Sequence, residues 1–144
     1  MKKIYILTGL VLILILVSGC AKQIPQEAVI TTSLDSPFQL KINQIAFIES
    51  ENLKIKFLNI TEDSRCPSGV VCFWEGQATV VVNILRNNQN IGDFSLTSRA
   101  AHKDLAVKNF DGYSIELMKV EPYPKATQKI EFSDYTIIFV VSRL

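Results

Sequence analysis

The sequence predicts an all-β protein, either an antiparallel β-sandwich or a small barrel, stapled by one disulfide. Three observations lead to this prediction. After residue 37, apolar and polar residues alternate with a period of two in several runs rich in β-branched and aromatic residues. Turn-forming Asn-Asn and Asp-Gly pairs lie between runs. Two cysteines stand close together in the middle of the chain, where a disulfide can form.

The N-terminus has the layout of a secretory signal peptide. Two lysines precede an apolar run from Ile4 to Val17, and small residues follow it. The run is shorter than the roughly 20 apolar residues that a membrane-spanning helix needs. We therefore predict a signal peptide over residues 1–19, with an uncleaved N-terminal anchor as the alternative.

The end of this segment, Val17-Ser18-Gly19-Cys20, resembles the lipobox of prokaryotic lipoproteins. The resemblance implies that the Cys20 thiol receives a diacylglycerol group and that the mature chain, carrying palmitate-type acyl chains, begins there. Two or more acyl chains hold a protein stably on a bilayer, because each buried CH₂ contributes about 0.8 kcal/mol. We expect an exported protein whose partner is the lipid bilayer, on the cell membrane or on an outer membrane where the source has one.

Residues 20–36 are predicted to form a lipidated tether, because Pro25 and the polar run Thr31-Thr32-Ser33 interrupt any long periodicity. A first strand through Ala28-Val29-Ile30 is the alternative. The folded domain, an immunoglobulin-like sandwich or a barrel, is then expected over residues 37–144.

The strands of that domain are predicted from series of apolar residues at every second position, which point to the same face of a strand. These series are Leu40 and Ile42; Leu53, Ile55 and Phe57; Ala78, Val80, Val82 and Ile84; Tyr113, Ile115 and Leu117; and Tyr135, Ile137, Phe139 and Val141. The runs Thr79–Leu85 and Thr136–Val141 are apolar on both faces, which favours central strands covered on both sides. Asn87–Asn90 and Asp111-Gly112 are predicted turns. The stretch Ser98–Asn109 is predicted as a short helix around residues 100–105 or as a loop.

Cysteine usage favours a structural disulfide between Cys66 and Cys72. With Cys20 acylated, these two remain as a pair in an exported protein. Their C-x5-C spacing differs from the C-x-x-C of redox motifs, and a zinc site needs more ligands, while His102 is the only histidine in the chain. Redox and metal roles are therefore the alternatives to a staple that contributes about 2 kcal/mol.

The run D-S-R-C-P-x2-V-x-C-x-W-x-G-x-A, from Asp63 to Ala78, is the most distinctive passage. It resembles a motif in a group of small, uncharacterised prokaryotic exported proteins and lipoproteins, as do Glu121-Pro122-Tyr123-Pro124 and Asp134-Tyr135. The resemblance covers about the whole domain after the tether. It implies a β-sandwich with the motif between two strands, and it implies no particular activity.

Asp63, Arg65, Trp74 and Glu75 form the candidate binding patch. In the favoured interpretation, Arg65 pairs with Asp63 or Glu75 and stacks on Trp74, which pins the loop to the sheet, with the tryptophan packed beside the disulfide as in other sandwiches. In the alternative, the same residues face a ligand from a loop on a rigid scaffold.

Composition narrows the function classes. The formal net charge is +1 and no Lys/Arg cluster forms a basic patch, which argues against nucleic acid as a partner. The sequence has no G-x-S-x-G elbow and no Gly-rich phosphate loop, so we predict no enzyme and no cofactor. The predicted function is a lipid-anchored binding module that presents loops to an envelope protein or ligand. The alternatives are a small envelope hydrolase with carboxylate chemistry and a structural accessory in envelope assembly.

Overall fold

The computed structural model describes residues 28–144, which form nine strands in two sheets. The strands are β1 (Val29–Thr32), β2 (Phe38–Lys41), β3 (Ile45–Ile48), β4 (Leu53–Asp63), β5 (Ala78–Arg86), β6 (Gln89–Ser98), β7 (Val107–Phe110), β8 (Tyr113–Glu121) and β9 (Thr136–Arg143). Single 3-10 turns lie at Glu49–Glu51, Lys103–Ala106 and Phe132–Asp134. The predicted signal peptide and the lipidation site Cys20 lie outside the described residues.

The two sheets face each other as a sandwich and do not close into a barrel. One sheet has five strands in the order β1-β3-β4-β5-β6, and the other has four in the order β2-β9-β8-β7. The all-β sandwich predicted from the sequence is confirmed. Its strands pair antiparallel with one exception among the described strands, because β1 runs parallel to β3.

The core lies between the inner faces of the two sheets. Burial alternates along β4, β5 and β8 with the period of two that the sequence predicts, since successive side chains point to opposite faces of a sheet. Phe57 and Phe139, one from each sheet, are the largest of the fully buried side chains. The other fully buried ones are Leu40, Ala46, Ile48, Leu53, Ile55, Ala78, Val80, Val82, Ile84, Leu96, Ile115, Ile137 and Val141.

The strands with apolar residues on both faces are central, as predicted. β5 lies between β4 and β6, and β9 lies between β2 and β8. The expectation that both faces would be covered is wrong, because Val81, Ile138 and Val140 on the outer faces remain partly exposed. Nothing among the described residues forms a third layer over them, so an apolar outer face here marks a central strand but not a buried one.

Two tight hairpins confirm the predicted turns. Asn87 and Asn88 have φ values of 50° and 62°, and Asp111 and Gly112 have values of 42° and 83°. A positive φ at both central residues is the geometry of the type I′ turn, which matches the twist of the flanking strands. The first turn is tighter than predicted, because Gln89 and Asn90 already belong to β6.

The folded part of the chain begins before residue 37. β1 lies within the range predicted as tether, close to the strand that the sequence left open as the alternative, and it pairs with β3 from Val29↔Ile45 to Thr32↔Ile48. Hydrogen bonding to a neighbouring strand orders this short segment, although its own composition shows little periodicity.

The stretch from Ser98 to Asn109 contains no α-helix. Ser98 ends β6, the residues around 100–102 form a loop, a 3-10 turn follows at Lys103–Ala106, and β7 then begins. The loop prediction therefore holds for the first part of this stretch. β7 was not predicted, because a four-residue edge strand with one buried side chain, Phe110, carries too little alternation to be recognised.

The sandwich has two unlike ends. At the turn end lie the two tight hairpins. At the other, which we call the loop end, β4, β6 and β8 finish and β5 and β9 begin, and residues 64–77, 99–106 and 122–135 make the connections. The residues singled out in the sequence as a candidate binding patch all lie at the loop end.

Candidate functional site

The connection from β4 to β5 is a long hairpin loop with a narrow base. The backbone N–H of Ser64 donates to the carbonyl of Gln77 at 2.8 Å, and that of Cys66 donates to Glu75 at 3.0 Å. We call these two hydrogen bonds the loop-base ladder. Next to them, a disulfide joins Cys66 to Cys72 with their Cα atoms 6.0 Å apart. The predicted disulfide is confirmed. We call residues 66–74 the stapled loop; the disulfide closes residues 66–72, and Phe73 and Trp74 follow directly after it.

Gly76 permits the close approach of the two sides of that base. Its φ is +70°, and a Cβ atom added there would lie 1.8 Å from the carbonyl oxygen of Ser64. Only glycine combines the left-handed conformation with this lack of volume. The loop base therefore depends on this residue.

Arg65 forms a buried ion pair with Asp63 directly below the stapled loop. Its Nε donates to Asp63 Oδ1 at 2.8 Å and its terminal nitrogen donates to Oδ2 at 2.7 Å, which is the bidentate geometry that a guanidinium favours. The two side chains are only 8% and 9% exposed. Of the two partners predicted for Arg65, the structure therefore selects Asp63.

The same guanidinium ties the loop to the other sheet. It donates to the carbonyl of Val120 at 2.6 Å and to that of Pro122 at 2.9 Å, both at the end of β8. Its carbon Cζ lies 5.2 Å from the ring centre of Tyr123, within the range of a cation–π contact. The ring that stacks on Arg65 is thus Tyr123 and not Trp74 as predicted. We call Asp63, Arg65 and Tyr135 the brace.

Tyr135, immediately before β9, completes the brace. Its hydroxyl donates to Asp63 Oδ2 at 2.9 Å. Burial raises the pKa of the Asp63 carboxyl, but the hydrogen bonds and charge of Arg65, together with the Tyr135 hydroxyl, outweigh this and leave the pKa below its usual value. Burial, and then the hydrogen bond to Asp63, raise the pKa of Tyr135 to about 12.

Tyr135→Phe is expected to change the alkaline stability of the protein. A phenol whose pKa is raised by folding stabilises the folded state below the ordinary pKa of 10.0, and this contribution is lost as the pH rises towards about 12. Wild type should therefore lose stability relative to the variant between these pH values. At neutral pH the variant should be less stable by about 2 kcal/mol, because a hydrogen bond to a charged acceptor is removed. Urea unfolding at several pH values measures both effects, and a constant difference between the two proteins from pH 9 to 12 would contradict the assignment.

The stapled loop itself points its apolar side chains into solvent. Val71 and Phe73 are fully exposed, Trp74 is 74% exposed and Val70 is 47% exposed. The expectation that Trp74 packs in the core beside the disulfide is wrong. The brace and the loop-base ladder hold the loop in place, and its apolar side chains are left free for contact.

Glu75 pairs with Arg99 and not with Arg65, its predicted alternative partner. Its Oε1 accepts hydrogen bonds from Arg99 Nε at 3.0 Å and from the backbone of Ala101 at 3.3 Å, which joins the loop base to the connection after β6. Among the four residues of the candidate patch, Asp63 and Arg65 are thus together, Glu75 belongs to a neighbouring contact, and Trp74 stands apart.

An open cleft of about 430 Å³ lies beside the loop base. Its rim carries charged groups of both signs together with apolar and aromatic ones, among them Glu75, Arg99, Lys103, Glu116, Met118 and Tyr123. Arg65 also contributes to its lining. The cleft could receive a small polar group, although two of its charges, Glu75 and Arg99, already neutralise each other.

Residues 122–135 support the site through contacts that the sequence did not indicate. The backbone N–H of Ser68 donates to the carbonyl of Pro124 at 2.9 Å, so this segment supports the stapled loop directly. Tyr123 and Tyr135 were not among the residues of the candidate binding patch. Both tyrosines lie in the short runs Glu121–Pro124 and Asp134-Tyr135 that the sequence analysis singled out.

Within residues 28–144, no three His, Cys, Asp or Glu side chains come together in a way that could hold a metal ion. In the same range, no helix has the length and apolar character needed to cross a bilayer. Comparison with known proteins found no matching family model, no matching curated protein and no matching solved structure.

Proposed function

We propose that the protein is a lipid-anchored interaction module of the cell envelope, held on the membrane through acylated Cys20 and making contact through the stapled loop. The observation that carries the proposal is the joint exposure of four apolar side chains on the stapled loop: Val70 and Val71 lie within the disulfide ring, and Phe73 and Trp74 follow it. Clustered apolar side chains in solvent are unfavourable for an isolated protein and mark an interaction surface.

The rigidity of the loop supports this proposal. A binding loop that is already ordered loses less conformational entropy on contact than a flexible one. Three features restrain the loop: the Cys66–Cys72 disulfide, the loop-base ladder and the brace. Aromatic residues such as Phe73 and Trp74 are also enriched among the residues that dominate binding energy at interfaces.

Acyl labelling tests the anchor. In cells that express the protein, labelled palmitate is expected to enter the wild-type chain and to be absent from the Cys20→Ser variant, which should also leave the membrane fraction. Label that persists in Cys20→Ser would overturn the anchor.

Photo-crosslinking tests the contact surface. In intact cells, a photoreactive phenylalanine analogue at position 73 is expected to form covalent adducts with the molecule that the stapled loop contacts, because this side chain is fully exposed. The matched control is the same analogue at Ile91, an exposed apolar residue near the turn end. Equal adduct yields at the two positions would overturn the stapled loop as the contact surface.

A further inference from the structure

The direction of β1 shows from which end of the sandwich the N-terminal segment approaches. β1 runs parallel to β3, and β3 runs antiparallel to β4, so the chain enters β1 from the side of the loop end. Val29 pairs with Ile45, which in turn pairs with Lys56 of β4. From Lys56, opposite Asn83, β4 continues to Asp63, opposite Ala78, at the loop end; because β4 contains two bulges, this advance corresponds to five residues of β5, or about 17 Å at roughly 3.3 Å per residue.

The length of chain between Cys20 and Ala28 limits how far the body can stand from the bilayer. Eight residues span at most about 29 Å when fully extended. Because about 17 Å of this reach is needed to pass the end of β4, an acylated Cys20 lies at most about 12 Å beyond that end. The ladder at Ser64 and Cys66 continues past Asp63 into the same space. This reach is long enough for the stapled loop to lie at the surface of the membrane that holds Cys20.

The chemistry of the stapled loop suits that surface. Residues 66–74, Cys-Pro-Ser-Gly-Val-Val-Cys-Phe-Trp, include no charged side chain. Tryptophan and other aromatic residues favour the boundary between lipid headgroups and acyl chains, where an apolar ring and a polar edge are both accommodated. Tyr123 and Phe132, each about half exposed, add aromatic surface at the same end. Polar backbone groups of an irregular loop are costly in hydrocarbon, which restricts the contact to the interface.

We propose that the stapled loop docks into the lipid interface of the same bilayer that holds Cys20, so that the sandwich stands on its loop end at two points of attachment. This inference rests on the acyl anchor of the proposed function and names the bilayer as the partner of the loop. The contact is carried by Val71, Phe73 and Trp74, and it needs no anionic lipid because the loop is uncharged.

Trp74 supplies a direct readout, since it is the only tryptophan in the chain. The mature protein, acylated at Cys20, is reconstituted in vesicles of phosphatidylcholine, with and without bromine atoms on the upper acyl carbons. Docking predicts a blue shift of Trp74 emission, loss of more than half of that emission in brominated vesicles, and protection from iodide in the aqueous phase. The quenching should persist at high salt.

Matched variants show whether the loop is responsible. The double variant Val71→Ser/Phe73→Ser should reduce bromolipid quenching of Trp74 at least twofold, because both side chains are fully exposed and their replacement leaves the core unchanged. Ile91→Ser, which removes an exposed apolar residue near the turn end, should leave the quenching as in wild type.

The outcomes separate the anchor from the docking. Protein that floats with the vesicles but shows water-exposed, unquenched Trp74 overturns the docking and leaves the anchor standing. Protein that fails to float overturns both. A Trp74 shift that occurs in native envelope membranes but not in protein-free vesicles also overturns the inference, since the loop then contacts a protein.

Discussion

Replacing Arg65 by alanine is expected to destabilise the protein by about 3–5 kcal/mol, the usual cost of removing one partner of a buried ion pair. The variant leaves the Asp63 carboxylate, only 9% exposed, without its counter-charge. It also removes the donors for the carbonyls of Val120 and Pro122, which tie the two sheets together at the loop end. Equilibrium unfolding in urea measures the loss.

Arg99→Ala is the matched control for Arg65→Ala. Arg99 also pairs with an acid at the loop end, but its side chain is 40% exposed and that of its partner Glu75 is 33% exposed. Solvent-exposed pairs of this kind contribute about 0–1 kcal/mol. Similar losses of stability in the two variants would show that Arg65 acts as an ordinary surface arginine and would overturn the structural role of the brace.

Gly76→Ala is expected to have the second large effect, a loss of about 3 kcal/mol or more. A left-handed backbone alone costs a non-glycine residue about 1–2 kcal/mol. Here the new methyl group also meets a backbone carbonyl, that of Ser64, on the opposite side of a loop base whose two sides are joined by hydrogen bonds. The loop base must therefore open.

Gly69→Ala separates the two contributions. Gly69 lies within the stapled loop with a φ of +89°, and no atom lies within 4 Å of a Cβ added there. This variant should show only the backbone cost of about 1–2 kcal/mol. If the two alanine variants unfold at the same urea concentration, the close approach at Gly76 does not constrain the loop base.

The long strands could be predicted from sequence because alternation over many residues has few competing explanations. β4, β5, β8 and β9 each place three or four apolar side chains on one face, and all of these are buried as expected. The four-residue strands gave weaker signals. β1 and β3 are ordered by pairing with each other and with β4, which a local pattern does not record.

The site was harder to predict because its contacts join distant parts of the chain. The Cys66–Cys72 disulfide and the Asp63–Arg65 pair are local, and both followed from neighbouring residues in the sequence. The carbonyl acceptors of Arg65 lie 55 and 57 residues away, and a backbone carbonyl has no sequence signature. Trp74 differs from the expectation because tryptophans beside disulfides in other sandwiches lie in the core, whereas this one follows the disulfide on a loop that extends into solvent.

The last residue of the chain lies at the opposite pole from the stapled loop. The backbone N–H of Leu144 donates to the carbonyl of Gly112 in the second hairpin, and the Leu144 side chain is 72% exposed. A fluorescent reporter or an affinity tag fused after Leu144 is therefore held a full strand length from the stapled loop. Such a fusion allows the protein to be imaged or purified without shielding the loop under test.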